Sequence, residues 1–263
     1  MIPHHVTDGD GPAVVLLNSL GTTLHMWQPQ VIPLKERFRL VRFDARGHGR
    51  TPRTAGALTV DDLADDVADL LDHLGVARAH LVGASLGGAI AMRLAVREPD
   101  RVNRLVLVST AAKIGTPEGW RARAEAVRAG GCAAVSGPAM SRWFSEAFLA
   151  DQPDTVAAFR DRFDACDAEG YAACCEAIGG MDLRDQVHRI GAPALVVAGA
   201  DDEVTTVADA AFLDERIPGA RTVLAEGAKH LLTAERADWA NRILVEFLDG
   251  DPATGDETGT ETP

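Results

Sequence analysis

The apolar positions of this chain fall into two rhythms. Six short runs are almost continuously aliphatic: "AVVLLNS" at 13–19, "FRLVRFD" at 38–44, "AHLVGA" at 79–84, "RLVLVST" at 104–110, "ALVVAGA" at 194–200 and "RTVLAE" at 221–226. Runs of this kind suit strands covered on both faces, as in a parallel sheet. Between them the spacing becomes helical. In "TVDDLADDVADLLDHLG" (59–75), Val60, Leu63, Val67, Leu70, Leu71 and Leu74 share one stripe of a helix. Thr59 is placed to cap its N-terminus, acids fill the first turn, and Gly75 ends it. Strand and helix in alternation predict an α/β fold: a mostly parallel central sheet flanked by helices.

The alternation breaks once. Residues 114–188 hold no strand-like run, only helical patterns punctuated by "AGG", "SGP", "DQPD" and "IGG". The predicted organisation is a core of residues 1–113 and 189–248, a helical cap inserted at 114–188, and a tail. That tail, "DGDPATGDETGTETP" (249–263), has five acids, no base and no apolar periodicity, and is expected to be disordered.

Composition then excludes several function classes. A chain of 263 residues is long enough to bury a sizeable core. The formal net charge is −13, and removing the five tail acids leaves about −8, which argues against a nucleic-acid or anionic-membrane partner. An anionic substrate would need local positive charge in its pocket. No apolar run approaches the ~20 residues of a membrane span. No basic segment precedes the first apolar run, so no secretory signal is read and the cytoplasm is expected. The four cysteines (Cys132, Cys166, Cys174, Cys175) form no C-x-x-C pair and lie near no histidine at zinc-ligand spacing. Buried packing is the reading for them, including the adjacent pair in "YAACCEAIGGMDLRD" (171–185). No G-x-G-x-x-G or P-loop follows a strand, so no nucleotide cofactor is expected.

The chemical signal lies in "AHLVGASLGGAIAMRLA" (79–95). Gly83-Ala84-Ser85-Leu86-Gly87 is a G-x-S-x-G between a strand and a helix, the context of a nucleophile elbow. A serine hydroxyl is a weak nucleophile and needs a base and an orienting acid. In this architecture both follow the serine in the order acid, then histidine. Only His188 and His230 follow Ser85; His188 precedes a strand, whereas His230 follows the last strand and opens the final helix, so His230 is the predicted base. The acid is expected just past "ALVVAGA", where Asp201 and Asp202 are adjacent. Two backbone N–H donors should form an oxyanion hole, one from Leu86 and one from Leu20 in "NSLGTTLHMW".

With these motifs in hand, residues of about 10–248 resemble the α/β-hydrolase superfamily. "LLNSLGTTLHMWQPQ", "RFRLVRFDARGHGRT", "GASLGG", "YAACCEAIGGMDLRD" and "VAGADDEVT" together look like the 3-oxoadipate enol-lactonases, "NSLG" and the Ala-Cys-Cys-Glu-Ala run being the most specific. The G-x-x-D ending common in that superfamily, here Gly199 to Asp202, selects Asp202. The N-terminus is short, so the usual leading strand pair is expected to be incomplete. The resemblance implies hydrolysis of a small lactone bearing a carboxylate, with no metal or organic cofactor. Candidate groups for that carboxylate are Arg142 beside Trp143, His25 beside Trp27, and the cap residues Arg121 and Arg123; Trp143 and Phe144 are read as the pocket roof. His48 in "RGHGRT" is read as loop structure. Rivals on the same scaffold are a carboxylesterase, a perhydrolase-type haloperoxidase or a carbon–carbon bond hydrolase; a rival of another class is a low-turnover small-molecule receptor.

Overall fold

A computed structural model describes residues 1–250. Its seven strands are β1 (His5–Asp8), β2 (Ala13–Leu17), β3 (Arg39–Phe43), β4 (Ala79–Ala84), β5 (Val102–Val108), β6 (Ala194–Gly199) and β7 (Arg221–Ala225). They form one sheet in the order β1-β3-β2-β4-β5-β6-β7. Every neighbouring pair is parallel except β1 with β3. All residues of β2, β4 and β6 are buried, as their unbroken aliphatic runs require.

The sequence pattern and the sheet differ at both edges. β1 reads "HVTD" and is half-exposed, so it gives no aliphatic run; it is the single antiparallel strand ahead of β2. At the opposite edge only Ala225 of β7 is buried, because nothing pairs beyond it. β5 starts at Val102 and ends at Val108; Ser109 still donates its N–H to the Val197 carbonyl of β6 at 2.8 Å, and Thr110 lies beyond the strand.

Between strands lie α1 (Gln28–Lys35), α2 (Val60–His73), α3 (Leu86–Arg97) and α9 (Val207–Arg216), with α10 (Leu232–Glu235) and α11 (Ala237–Asp249) closing the chain. The predicted stripe of α2 is its buried face, apart from the partly buried Leu74 just past its end. At its start the Thr59 hydroxyl accepts the Asp62 N–H, and the Asp62 carboxylate accepts the Thr59 N–H. Asp249 ends α11 and pairs with Arg37, so the proposed tail does not begin there; its other residues, beyond Gly250, lie outside the described part.

Between β5 and β6 run α4 (Pro117–Gly130), α5 (Ala133–Trp143), α6 (Glu146–Asp151), α7 (Pro153–Asp164) and α8 (Ala168–Gly180), without a strand. Among the described residues no helix is long and apolar enough to cross a membrane. All four cysteines are free and buried in or beside these helices. Burial pushes the Cys132 thiol up to about 11 and those of Cys166 and Cys175 to about 12, the opposite of a reactive thiol.

Candidate active site

Ser85 follows β4, Leu20 follows β2, Asp202 follows β6 and His230 follows β7, all past the carboxyl ends of parallel strands of the one sheet. That common end of the sheet is where open α/β folds place their sites.

The turn at Ser85 is tight. Its backbone sits at φ 54°, ψ −115°, a conformation that non-glycine residues rarely adopt. It is held on both sides: the Ser85 N–H donates to the Val108 carbonyl at 2.9 Å, and the Ser85 carbonyl accepts from the Thr110 hydroxyl at 2.7 Å. Small neighbours are a steric necessity. A Cβ on Gly83 would lie 2.3 Å from the Gly87 carbonyl oxygen, and one on Gly88 would lie 2.6 Å from the Thr110 side chain. The Ser85 hydroxyl caps no helix amide. Leu86 opens α3, and its N–H donates to no protein acceptor among the described residues, as expected of a first-turn amide.

The loop after β2 supplies the facing backbone. Thr22 N–H donates to the Ser19 carbonyl at 3.2 Å, closing a four-residue turn. Gly21 stands third in it at φ 78°, where a type II turn demands glycine. Such a turn leaves its second amide, Leu20 N–H, unused; among the described residues it has no protein acceptor. Asn18 anchors the loop, donating to the Phe43 carbonyl at 2.6 Å and accepting from Trp27 Nε1 at 3.0 Å.

His230 Nδ1 lies 2.8 Å from Asp202 Oδ2, both side chains being almost fully buried. The second Asp202 oxygen accepts the Val204 and Thr205 N–H groups at 2.8 and 3.2 Å, and the Thr205 hydroxyl adds a bond of 2.8 Å to Oδ2. Burial alone would raise the Asp202 pKa; the bond from His230, its charge and these donors outweigh it and hold the carboxyl below its ordinary value. The neighbouring Asp201 is exposed, its N–H taken by the Ala228 carbonyl. The chain approaches itself closely here: a Cβ on Gly199 would meet the Ala228 and Lys229 carbonyls at 2.4 and 2.5 Å.

Ser85, His230 and Leu20 open onto one cavity of about 320 Å³, within the range of small-molecule sites. Its other wall comes from the helical insertion: Trp120 and Arg123 one turn apart on α4, Arg142 and Trp143 ending α5, and Tyr171 on α8. Arg123 Nε donates to the Tyr171 hydroxyl at 2.7 Å. Neither Arg123 nor Arg142 has a carboxylate within salt-bridge distance among the described residues, although Glu203 also lines the cavity. Burial and then the like charge of Arg123 lower the Arg142 pKa.

The insertion is tied to the histidine loop. Leu231 N–H donates to the Trp143 carbonyl at 3.0 Å, and the Glu235 carboxylate accepts from Ser145 N–H at 3.1 Å and Lys229 N–H at 3.0 Å.

Three expectations fail. His25 does not reach this cavity: Leu24, Met26 and Trp27 of its 3-10 turn take the buried side, and His25 faces outward toward Phe159 and Arg162. Arg121 is exposed on the other face of α4, in a groove with Glu125 and Arg128. Phe144 does not line the cavity; it is fully buried against Phe148 and Phe159, with ring centroids 5.0 and 5.3 Å away. Conversely the cavity is lined by Trp120 and Tyr171, which no motif marks, although Trp120 at three residues from Arg123 is the helical spacing that puts both on one face.

The chain belongs to the α/β-hydrolase fold family, whose model matches residues 12–237. More narrowly, it stands beside carboxylic-ester hydrolases: it is 41% identical over 91% of its length, and 89% of the relative's, to 3-oxoadipate enol-lactonase 2 of Acinetobacter baylyi. Identity to 3-oxoadipate enol-lactonase 1 of the same organism is 37% over the same shares. The crystal structure of the enol-lactonase from Burkholderia xenovorans LB400 superposes with a TM-score of 0.92 at 42% identity, covering 94% of this chain and 96% of that one.

Proposed function

We propose that this protein hydrolyses 3-oxoadipate enol-lactone to 3-oxoadipate, a step of aromatic catabolism, through an acyl-enzyme on Ser85. The observation that carries the reading is one cavity lined by Ser85 and His230 and by two guanidiniums, Arg123 and Arg142, that form no salt bridge among the described residues. Kinship with the two enol-lactonases supports the same substrate.

A carboxylate only accepts, so the His230 Nδ1 facing Asp202 carries the hydrogen, and Nε2 of the neutral ring is the base. Nε2 takes the Ser85 proton as Oγ attacks the lactone carbonyl. The Leu20 and Leu86 amides hold the resulting oxyanion, each such donor contributing about 3 kcal/mol in comparable sites. The ring C–O bond then breaks. The enolate takes the proton from His230 and tautomerises to the ketone, while the acyl group stays on Ser85. Water deprotonated by His230 releases it as the second carboxylate. The helical insertion acts as a cap, with Arg142 and Arg123 receiving the acetate arm and Trp143 covering the ring.

The test is to generate the enol-lactone from its muconolactone precursor and follow its loss with wild-type protein and Ser85→Ala. Turnover by the wild type and loss of it in the variant are expected. No turnover by the wild type, or full turnover by Ser85→Ala, overturns the reading.

A further inference from the structure

The segment "RGHGRT" (46–51) contains a buried histidine that this chemistry does not use. His48 is 1% exposed; its Nδ1 lies 3.1 Å from the Arg46 carbonyl oxygen, and its Nε2 lies 3.0 Å from the Gly21 nitrogen. A carbonyl only accepts and an amide N–H only donates. The ring therefore carries its hydrogen on Nδ1 and presents a lone pair at Nε2.

Gly21 is the third residue of the turn that presents Leu20 N–H. Turns of types I and II differ by the turning over of their central peptide, here the one joining Leu20 to Gly21. The N–H of that peptide is the group His48 holds. The surroundings keep the histidine in place: the Tyr171 ring lies 6.2 Å from it, a Cβ on Gly47 would lie 2.3 Å from Gly170, and Cys174 Sγ sits 3.7 Å from the carbonyl that Nδ1 contacts.

We infer that His48 is a positioning residue: its Nε2 anchors the Gly21 N–H and so holds in place the turn that carries the Leu20 N–H to the oxyanion. This rests on the proposed acyl transfer at Ser85, though not on the lactone as substrate. Without that acceptor, the Gly21 N–H is a buried donor lacking a partner, and the turn is free to relax away from the geometry that serves the reaction. Because the oxyanion exists only along the reaction path, the loss falls on kcat rather than KM.

The test compares His48→Gln with His48→Asn, using p-nitrophenyl acetate, a neutral ester that needs no carboxylate recognition. The glutamine amide reaches the place of Nε2, whereas that of asparagine reaches only the place of Nδ1. His48→Asn should lower kcat about 10–100-fold with KM within about threefold, and His48→Gln should recover most of it. Phenylboronic acid, whose adduct on Ser85 places an oxygen in the oxyanion position, should weaken in parallel with kcat. Adipate, a competing carboxylate, should bind unchanged. Equal kcat in all three proteins, better rescue by asparagine than by glutamine, or parallel loss of boronate and adipate binding would overturn the inference. His48→Leu carries the same expectation as His48→Asn, so the test stands if the latter does not fold. Ester turnover without lactone turnover in the wild type would remove the lactone reading and leave this one standing; unimpaired variants would do the reverse.

Discussion

The two walls of the cavity are built on opposite terms. On the sheet side the groups are satisfied by the fold itself: the Ser85 backbone is bonded at both ends, the Asp202 carboxylate accepts from His230, Val204 and Thr205, and Asn18 fastens the Leu20 loop. On the insertion side, Arg123 and Arg142 bring charge that no carboxylate among the described residues meets at salt-bridge distance, Glu203 standing farther off in the same cavity. A wall whose bonds are complete is set before substrate arrives. A wall with unmet charge is suited to take its partner from a bound anion. On the proposed function, the first carries the reaction and the second the choice of what reacts.

Substitutions can break that division. Asp202→Asn removes the charge that orients His230, and kcat should fall on the order of 10⁴-fold. The fall should be similar for the enol-lactone and for p-nitrophenyl acetate in steady-state assays; a loss confined to the lactone would put Asp202 on the choosing side. Arg142→Gln should raise KM for the lactone and cost about 10–100-fold in kcat/KM, the worth of a charge-assisted hydrogen bond. The neutral ester should be hydrolysed as before, and equal losses on both would dissolve the distinction between the walls.

Two further changes sharpen it from outside. Cys175→Ser puts a more strongly hydrated hydroxyl at a fully buried position beside Tyr171 and should lower Tm by about 2–4 °C, with kcat within about twofold of wild type. A collapse of kcat with folding intact would return the thiol to the chemistry. His80 lies at the other end of β4 from Ser85, 8% exposed, with Nδ1 unpartnered. Burial, and then Arg104 and Arg78, bring its pKa down from 6.5 to about 4. The unfolded ring takes a proton that the folded one refuses between those values, so stability falls as pH drops from about 6.5 to about 4. His80→Phe should flatten the Tm-against-pH curve across that window; an unchanged slope would assign it to other groups.

The core and the placement of the sheet-side residues are more legible in the sequence than the lining of the opposite wall. Aliphatic runs reported the buried strands because those strands lie in parallel pairs under cover, and the same rule hid the polar edge strand His5–Asp8. Ser85, Asp202 and His230 could be read from chain order because each is fixed to a strand end. The cavity side of a cap helix has no such anchor. Arg121 and Arg123 differ by two positions, about 200° around a helix, and only packing decides which faces inward. His25 failed for the same reason in a single turn, where three apolar neighbours claimed the interior.

The joint between α5 and the histidine loop is made, on the insertion's side, from main-chain atoms: the Trp143 carbonyl and the Ser145 N–H. Any amino acid but proline at 145, and any at all at 143, supplies the same atoms. Side chains of the insertion can thus be exchanged, and the lining of the cavity altered, without breaking the seam that steadies the His230 loop.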